Sequence, residues 1–115
     1  MKINMKKLSN VIKKFFKFNI IPLAYCHLHQ YEFAFEHYKK ALQIYEKIIP
    51  TEHCLISMIY ENIGNLFYDQ NLFKQGLVYY EKAATIYRNL LPSTHPNVLQ
   101  IAMVIRRIES KIRYL

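Results

Sequence analysis

The feature of this sequence that most constrains its fold is an internal repeat, in which residues 38–53 recur as residues 80–95. The two segments match at seven of sixteen positions, where average composition would give about one match by chance. The matched residues are Tyr38, Lys40, Ala41, Ile44, Tyr45, Pro50 and His53, which correspond to Tyr80, Lys82, Ala83, Ile86, Tyr87, Pro92 and His95. A fixed period of this length predicts a protein made of stacked copies of one small unit, none of which buries its apolar face alone.

The second unit reads as a pair of helices. Apolar residues recur at helical spacing from Ile56 to Phe67 and again from Leu77 to Leu91. Between these runs, Asp69-Gln70-Asn71 interrupts the pattern with polar turn formers. Pro92 then ends the second run because proline cannot continue a helix. The pattern predicts an antiparallel helix-turn-helix unit.

The other units follow the same plan. The first unit repeats the second helix from Phe35 to Ile49, again stopped by a proline. A last helix is predicted from Val98 to Leu115. We expect Ser93 and Thr94 to offer capping hydroxyls to it and Pro96 to lie in its first turn.

Small residues stand at matching places in the two units, where the helices of a pair would come close. Ala34 corresponds to Gly76, and Ala41 to Ala83. We expect these residues to let the helix backbones approach where larger side chains would hold them apart. The whole chain has only two Gly and four Pro, which argues against a turn-rich β-sandwich or barrel and favours an all-α fold.

Several motifs of the repeat resemble those of a known family. They are Tyr60, Ile63-Gly64 and Phe67 in the first helix, Gly76 and the run Tyr79-Tyr80-Glu81-Lys82-Ala83 in the second, and the linker Pro92-Ser93-Thr94-His95-Pro96. The sequence resembles tetratricopeptide repeats over about residues 20–105, in particular the 42-residue variety of kinesin light chains and nephrocystin-like proteins. The resemblance implies antiparallel helix pairs stacked as a short right-handed α-solenoid.

Two positions depart from the family pattern. The residue equivalent to Gly64 is Pro22 in the first unit and Arg106 in the third. The first helix of the first unit is therefore expected to begin at Pro22 or to be kinked, and no second helix follows in the third unit. The expected organisation is a basic amphipathic helix or tail at 1–18, a repeat with a truncated first helix at 19–50, a second repeat at 51–92, and a terminal capping helix at 93–115 that is half of a third repeat.

The family resemblance implies a non-enzymatic protein-interaction module, an adaptor or scaffold, whose first helices line a concave groove for a peptide or partner helix. On that scheme the residues that face or border the groove are Met58, Glu61, Asn62, Asn65, Tyr68, Asp69, Arg107, Ser110 and Lys111. Asn62 falls where kinesin-light-chain-like repeats carry an asparagine that can bond a peptide backbone, while Glu61 replaces the neighbouring family asparagine. A second interpretation stays open, since polar residues also simply solvate an exposed helix face.

The net charge of +8 lies mostly at the two ends of the chain. Residues 1–18 hold six Lys and no acid, residues 106–115 have a net charge of +3, and the 87 residues between them have a net charge of −1. In the first segment an apolar stripe opposes Lys2, Lys6, Lys13 and Lys17. This segment could cap the first repeat, bind an anionic membrane or an acidic partner, or be disordered. Nucleic acid is not favoured, because the repeat itself is close to neutral.

Other function classes find little support. The longest stretch without charge, Phe18 to Tyr31, is too short and too polar to span a bilayer. Cys26 and Cys54 form no CxxC pair, and no spacing of His and Cys suits zinc, so neither a metal nor any other cofactor is expected. No Gly-rich phosphate loop or paired carboxylates indicate an enzyme or a small-molecule substrate.

We therefore expect a cytoplasmic protein whose partner is a protein or peptide, with self-association through exposed apolar ends as a further prediction. Two alternatives remain at this point. The chain is the repeat portion of a larger, enzymatic protein, or it is a peripheral membrane or acidic-partner binder that acts through its Lys-rich beginning.

Overall fold

A computed structural model describes residues 30–50 and 53–115 of the chain. The helices in these residues are α1 (Tyr31–Ile48), α2 (Cys54–Asp69), α3 (Phe73–Leu90) and α4 (Pro96–Arg113). The predicted all-α class is confirmed. The described residues fall into two compact units, one that contains α1 and one that contains α2, α3 and α4. Among the helices described, none is long and apolar enough to cross a membrane.

The helices α1 and α3 bury the same pattern of side chains at equivalent positions of the repeat. In each, a small residue, a tyrosine, an alanine and a second tyrosine follow at spacings of four, three and four, which places them on one helix face. These residues are Ala34, Tyr38, Ala41 and Tyr45 in α1, and Gly76, Tyr80, Ala83 and Tyr87 in α3. Each helix therefore buries one stripe in which small residues alternate with large aromatic ones.

Both helices also end in the same way, as the sequence predicts. Ile49 donates its N–H to the carbonyl of Tyr45 at 2.8 Å, and Leu91 donates to Tyr87 at 2.9 Å. Ile49 and Leu91 are themselves extended, with φ of −124° and −122°. Each precedes a proline, and the proline ring disfavours helical backbone in the residue before it. The second helix of each repeat thus stops just before its proline.

The turn between α2 and α3 lies at the predicted polar residues. Asn71 has a φ of 62°, a left-handed conformation that asparagine tolerates better than most residues. Its N–H donates to the carbonyl of Tyr68 at 3.0 Å, and Leu72 donates to Phe67 at 2.9 Å. This pair of hydrogen bonds is a Schellman motif, which satisfies the last carbonyls of α2 and reverses the chain direction.

Histidines cap the N-termini of α2 and α4. The Nδ1 atom of His53 accepts the N–H of Leu55, and Nδ1 of His95 accepts that of Asn97, both at 3.1 Å. The prediction that Ser93 or Thr94 caps α4 is wrong, because α4 begins at Pro96 and the residue in the extended N-cap conformation is His95. The prediction of proline in the first turn is confirmed.

The core of the second compact unit, which contains α2, α3 and α4, forms around α3. This helix packs against both α2 and α4. One cluster of this core consists of Tyr80, Ala83, Ala84, Tyr87, Val98, Ile101 and Ile108. The largest of them, Tyr80 and Tyr87, are 1% exposed. Since each large apolar side chain stabilises a fold by about 1.5–3 kcal/mol when buried, this cluster holds α3 and α4 together.

Candidate peptide-binding face of the second unit

The position of α3 against α2 depends on Gly64. A Cβ atom at this residue would lie 2.5 Å from Cδ1 and 2.6 Å from Cε1 of Tyr80, closer than side chains tolerate. On α3, a Cβ at Gly76 would lie 3.1 Å from the carbonyl oxygen of Gly64 and 2.9 Å from Cδ1 of Ile108. The two glycines therefore let α2, α3 and α4 converge, and the close approach predicted at Gly76 is confirmed.

The two buried tyrosines of α3 reach back to polar residues on α2. The hydroxyl of Tyr80 donates to Oδ1 of Asn65, and that of Tyr87 donates to Oε2 of Glu61 at 3.0 Å. As the residue number rises along α3 it falls along α2, so the two helices are antiparallel. The hydrogen bonds hold two of the predicted groove residues against the helix pair.

Burial shapes the acid–base properties of the pair formed by Glu61 and Tyr87. Removal from water raises the pKa of the Glu61 carboxyl, while the hydrogen bond from Tyr87 acts in the opposite direction. The pKa of Tyr87 is raised mainly by burial and further by the charge of Glu61. The phenol therefore stays protonated and serves as a donor throughout the physiological range.

Charges from two other helices act on Tyr80. Its pKa is raised by burial and then by the carboxylates of Asp69 and Glu61, and it is lowered by the guanidinium of Arg107 on α4. Asn65 is thus in direct contact with this hydroxyl, and the charges of Glu61, Asp69 and Arg107 act on it. Four of the sequence-predicted residues are therefore linked to Tyr80, one by a hydrogen bond and three through their charges.

The other predicted residues of α2 have different surroundings. Met58 is 37% exposed and Asn62 is half-buried. Tyr68 packs partly into the core, with its ring edge-on to Phe73 at a centroid distance of 5.3 Å. Tyr68 therefore borders the face and serves mainly to close the turn into α3.

The predicted residues of α4, Arg107, Ser110 and Lys111, are all exposed. They lie within four residues of one another, on neighbouring turns of the helix. The lysines predicted to face a membrane or an acidic partner, Lys2, Lys6, Lys13 and Lys17, lie outside the described residues. We call the surface formed by Met58, Glu61, Asn62, Asn65, Asp69, Arg107, Ser110 and Lys111 the polar face.

Comparison with known proteins identifies the family. The family model for tetratricopeptide repeats matches residues 23–89, which is 67 of the 115 residues. The chain belongs to the tetratricopeptide repeat family. Repeats of this family are protein-interaction modules that bind protein or peptide partners and are typically non-enzymatic. A search of curated proteins finds no match to the chain.

In this tetratricopeptide repeat, sequence reasoning places Tyr80 and Tyr87 at matched positions of the repeat but misses what their hydroxyls do. A signal was present, because a buried tyrosine usually finds a hydrogen-bond partner for its hydroxyl. Their spacing of seven residues also places both hydroxyls on the same side of α3, two turns apart. Which residues of α2 accept them depends on the pairing of the helices.

A second feature of the repeat that the sequence does not reveal is an aromatic cluster that includes Tyr79. Its ring stacks on Phe67 at 5.6 Å and lies 6.2 Å from Tyr60, measured between centroids. The Nζ atom of Lys82 lies 5.3 Å from the centroid of Tyr79 and 5.5 Å from that of Tyr60. This cation–π contact gives a structural role to the Tyr79–Lys82 run of the family motif.

The acids, histidines and cysteines of the described part of the repeat do not gather into a metal site, since no three of them are grouped suitably. His53 and His95 both use Nδ1 for helix capping.

Proposed function

We propose that the polar face binds an extended peptide segment of a partner protein, and that the protein is a cytoplasmic adaptor or scaffold of the kinesin-light-chain-like type. The subtype is supported by the 42-residue period, the Tyr79–Ala83 run and the linker Pro92–Pro96. The binding mode is supported by the hydrogen bonding of Asn65 and by the exposed charges of α2 and α4.

The observation that carries the proposal is the hydrogen bonding of Asn65. Its Oδ1 accepts the hydroxyl of Tyr80, which holds the amide in one orientation. The side chain is exposed, and its Nδ2 makes no hydrogen bond within residues 30–50 and 53–115. A fixed, exposed amide N–H is suited to donate to a peptide carbonyl, because little conformational freedom is lost when it binds.

The charges of the polar face are divided between its two helices. Glu61 and Asp69 lie on α2, whereas Arg107 and Lys111 lie on α4. A peptide between the two helices would meet carboxylates on one side and cations on the other. This arrangement favours a segment with an acidic side chain directed toward α4, and its association should weaken as salt screens the charges.

Glu61 has a second role on this face. It occupies the place of a family asparagine, but its carboxylate is half-buried and accepts the hydroxyl of Tyr87. The departure from the family pattern therefore coincides with a hydrogen bond inside the helix pair. We assign the direct backbone contact to Asn65 and Asn62 and the helix pairing to Glu61.

A peptide selection tests the proposal. A phage-displayed library of random 12-residue peptides is selected against the intact chain, and the selected peptide is measured by fluorescence anisotropy. We expect Asn65→Ala to weaken binding about fivefold, as the loss of one hydrogen bond predicts. Arg107→Glu should weaken the binding of a peptide that carries an acid. The matched control is Asn89→Ala, an exposed asparagine on α3 outside the polar face.

Two results would contradict the proposal. One is equal binding by the Asn65→Ala and Asn89→Ala variants. The other is loss of binding when residues 1–18 are removed, which would locate the contact in the Lys-rich segment. Tyr80→Phe provides a second variant, because it removes the donor that orients Asn65 and keeps the buried ring.

A further inference from the structure

The side chain of Glu61 combines burial with charge. It is half-buried on α2, one helical turn before Asn65. Burial raises the pKa of its carboxyl, and the hydrogen bond from Tyr87 offsets part of this rise. Within residues 30–50 and 53–115 the carboxylate forms no ion pair. Near neutral pH it is therefore a charge that is partly removed from water without a cation to balance it.

The carboxylate of Glu61 is held at one oxygen and open at the other. Its Oε2 accepts the hydroxyl of Tyr87 at 3.0 Å, and the same hydroxyl interacts with the buried Ser57. Its Oε1 accepts no hydrogen bond from the described residues and is not shut off from solvent. Tyr87 therefore orients the carboxylate and leaves one oxygen that a ligand can reach.

An oriented, partly dehydrated carboxylate is suited to bind a cation. An ion pair at an exposed site gains little, because water screens the charges and two flexible side chains must be ordered. At Glu61 both losses are smaller, since burial reduces the screening and Tyr87 already fixes the carboxylate. A cation at Oε1 would also relieve the cost of a partly buried charge that has no counter-ion.

Asp69, the other acid of the polar face on α2, lacks these properties. It lies about two turns from Glu61, at the last residue of the helix, and it is exposed. An ion pair at Asp69 would be screened by water and would add little to the affinity of a ligand. The two acids carry the same charge, yet the burial of Glu61 makes it the stronger site for a cation.

We infer that Glu61 selects a basic side chain in the peptide that binds the polar face. This inference rests on the proposed function, in which Asn65 donates to the backbone of that peptide. The cationic group of the peptide would approach Oε1 of Glu61, while the amide of Asn65 binds a carbonyl one helical turn away. Glu61 stands at the place of a family asparagine, so a neutral group is replaced here by one that favours a cation.

The test uses the intact chain and the peptide selected from the random 12-residue library. We expect this peptide to contain lysine or arginine. Each basic residue in turn is replaced by norleucine, which has an uncharged side chain of similar length to lysine, and binding is measured by fluorescence anisotropy. At one position the replacement should weaken binding about tenfold, as loss of a partly buried charge pair predicts.

A double-mutant cycle assigns this loss to Glu61. The chain variant is Glu61→Gln, which removes the charge and keeps an oxygen that can accept the hydroxyl of Tyr87. On this variant the same norleucine replacement should change the affinity by less than about twofold. A merely structural role of Glu61 would change the binding of both peptides equally, and the replacement would then keep its tenfold effect.

The matched control is Asp69→Asn, which removes the same charge from the same helix. Because Asp69 is exposed, the norleucine replacement should keep most of its tenfold effect on this variant. Circular dichroism checks that both chain variants keep their helices.

Three outcomes overturn the inference. They are selected peptides without a basic residue, an equal effect of the replacement on the natural and Glu61→Gln chains, and an effect that is lost with Asp69→Asn instead. If Asn65→Ala still weakens binding in these cases, the proposed peptide binding stands and the inference alone fails. A library that yields no binding peptide would overturn the proposed function and the inference together.

Discussion

Helices α2 and α4 begin alike and are packed differently. Each starts directly after a histidine whose Nδ1 accepts a hydrogen bond from the N–H of the second helical residue, at 3.1 Å. Both also pack against α3. On α2, Gly64 admits the ring of Tyr80 from α3. On α4 the same position is Arg106, which is exposed.

The difference teaches that the residue at this position decides whether an aromatic ring can lie directly on the helix backbone. A missing Cβ allows an aromatic ring to lie directly on the backbone. A long charged side chain prevents this contact and needs water or a carboxylate around it. The rest of the helix can keep its cap, its length and its apolar stripe in both cases.

The largest effect is expected when α2 is made to resemble α4 by Gly64→Arg. The new side chain would displace Tyr80 and place a charge in a buried position, so the free energy of unfolding should fall by about 4 kcal/mol or more. Urea denaturation of the intact chain measures this. The reciprocal change Arg106→Gly lies on an exposed helix surface, and it should cost only about 1 kcal/mol through helix propensity. Equal losses in the two variants would contradict the comparison.

A smaller effect is expected from adding a single methyl group at the two glycines. Gly64→Ala should destabilise the fold by about 1.5 kcal/mol, because overpacking against Tyr80 exceeds the gain in helix propensity. At Gly76 the nearest atom is the flexible Cδ1 end of Ile108, which can move, and the backbone oxygen of Gly64 lies farther away at 3.1 Å. The free energy of unfolding of the Gly76→Ala variant should therefore lie within about 1 kcal/mol of that of the natural chain. Denaturant midpoints would show whether this order holds, and the reverse order would refute the packing argument.

The shared caps give a prediction in which α2 and α4 should behave alike. His53→Ala and His95→Ala each remove a side-chain acceptor from a helix N-terminus, at an expected loss of about 1 kcal/mol. Asparagine accepts the same N–H, so His53→Asn and His95→Asn should retain most of the stability. Thermal unfolding, monitored by circular dichroism, measures these changes in stability. Alanine variants as stable as the asparagine variants would show that the caps contribute nothing.

The smallest effect concerns one glutamate on each helix and depends on pH. The pKa of Glu61 is raised by burial, so the folded state is favoured when the carboxyl is protonated, and this contribution is lost as the pH rises through the raised pKa. Glu61→Gln should match the natural chain at pH below about 4 and be more stable than it near neutrality. Glu109→Gln, on the exposed surface of α4, is the matched control. A gain that persists unchanged in acid would exclude the explanation by ionisation.

Much of the fold could be predicted from residue types and spacing, because helix ends depend on local chemistry. Pro50 and Pro92 end their helices, and Asn71 takes the left-handed turn position. The predicted cap of α4 is wrong, since Ser93 and Thr94 are more common capping residues than His95. Both His53 and His95 are in extended conformation directly before the first helical residue, which lets Nδ1 accept a helix N–H, and residue preferences alone do not show this.

The candidate site could be predicted only in part. The helical spacing of Glu61, Asn65 and Asp69 places them on one side of α2, and Arg107 follows on the equivalent helix. Their connection through Tyr80 does not follow from the sequence. The hydroxyl of this distant residue reaches Asn65 only because Gly64 allows the close approach.

The sequence by itself determined that this chain is a helical repeat of fixed period, where its helices turn, and that its excess charge lies at its ends. These properties follow from local backbone preferences and from a pattern that the chain repeats. Only the tertiary structure decided which tyrosines hold the polar face and which neighbours surround Gly64. Those outcomes depend on distances between helices, and a single Cβ atom is enough to change them.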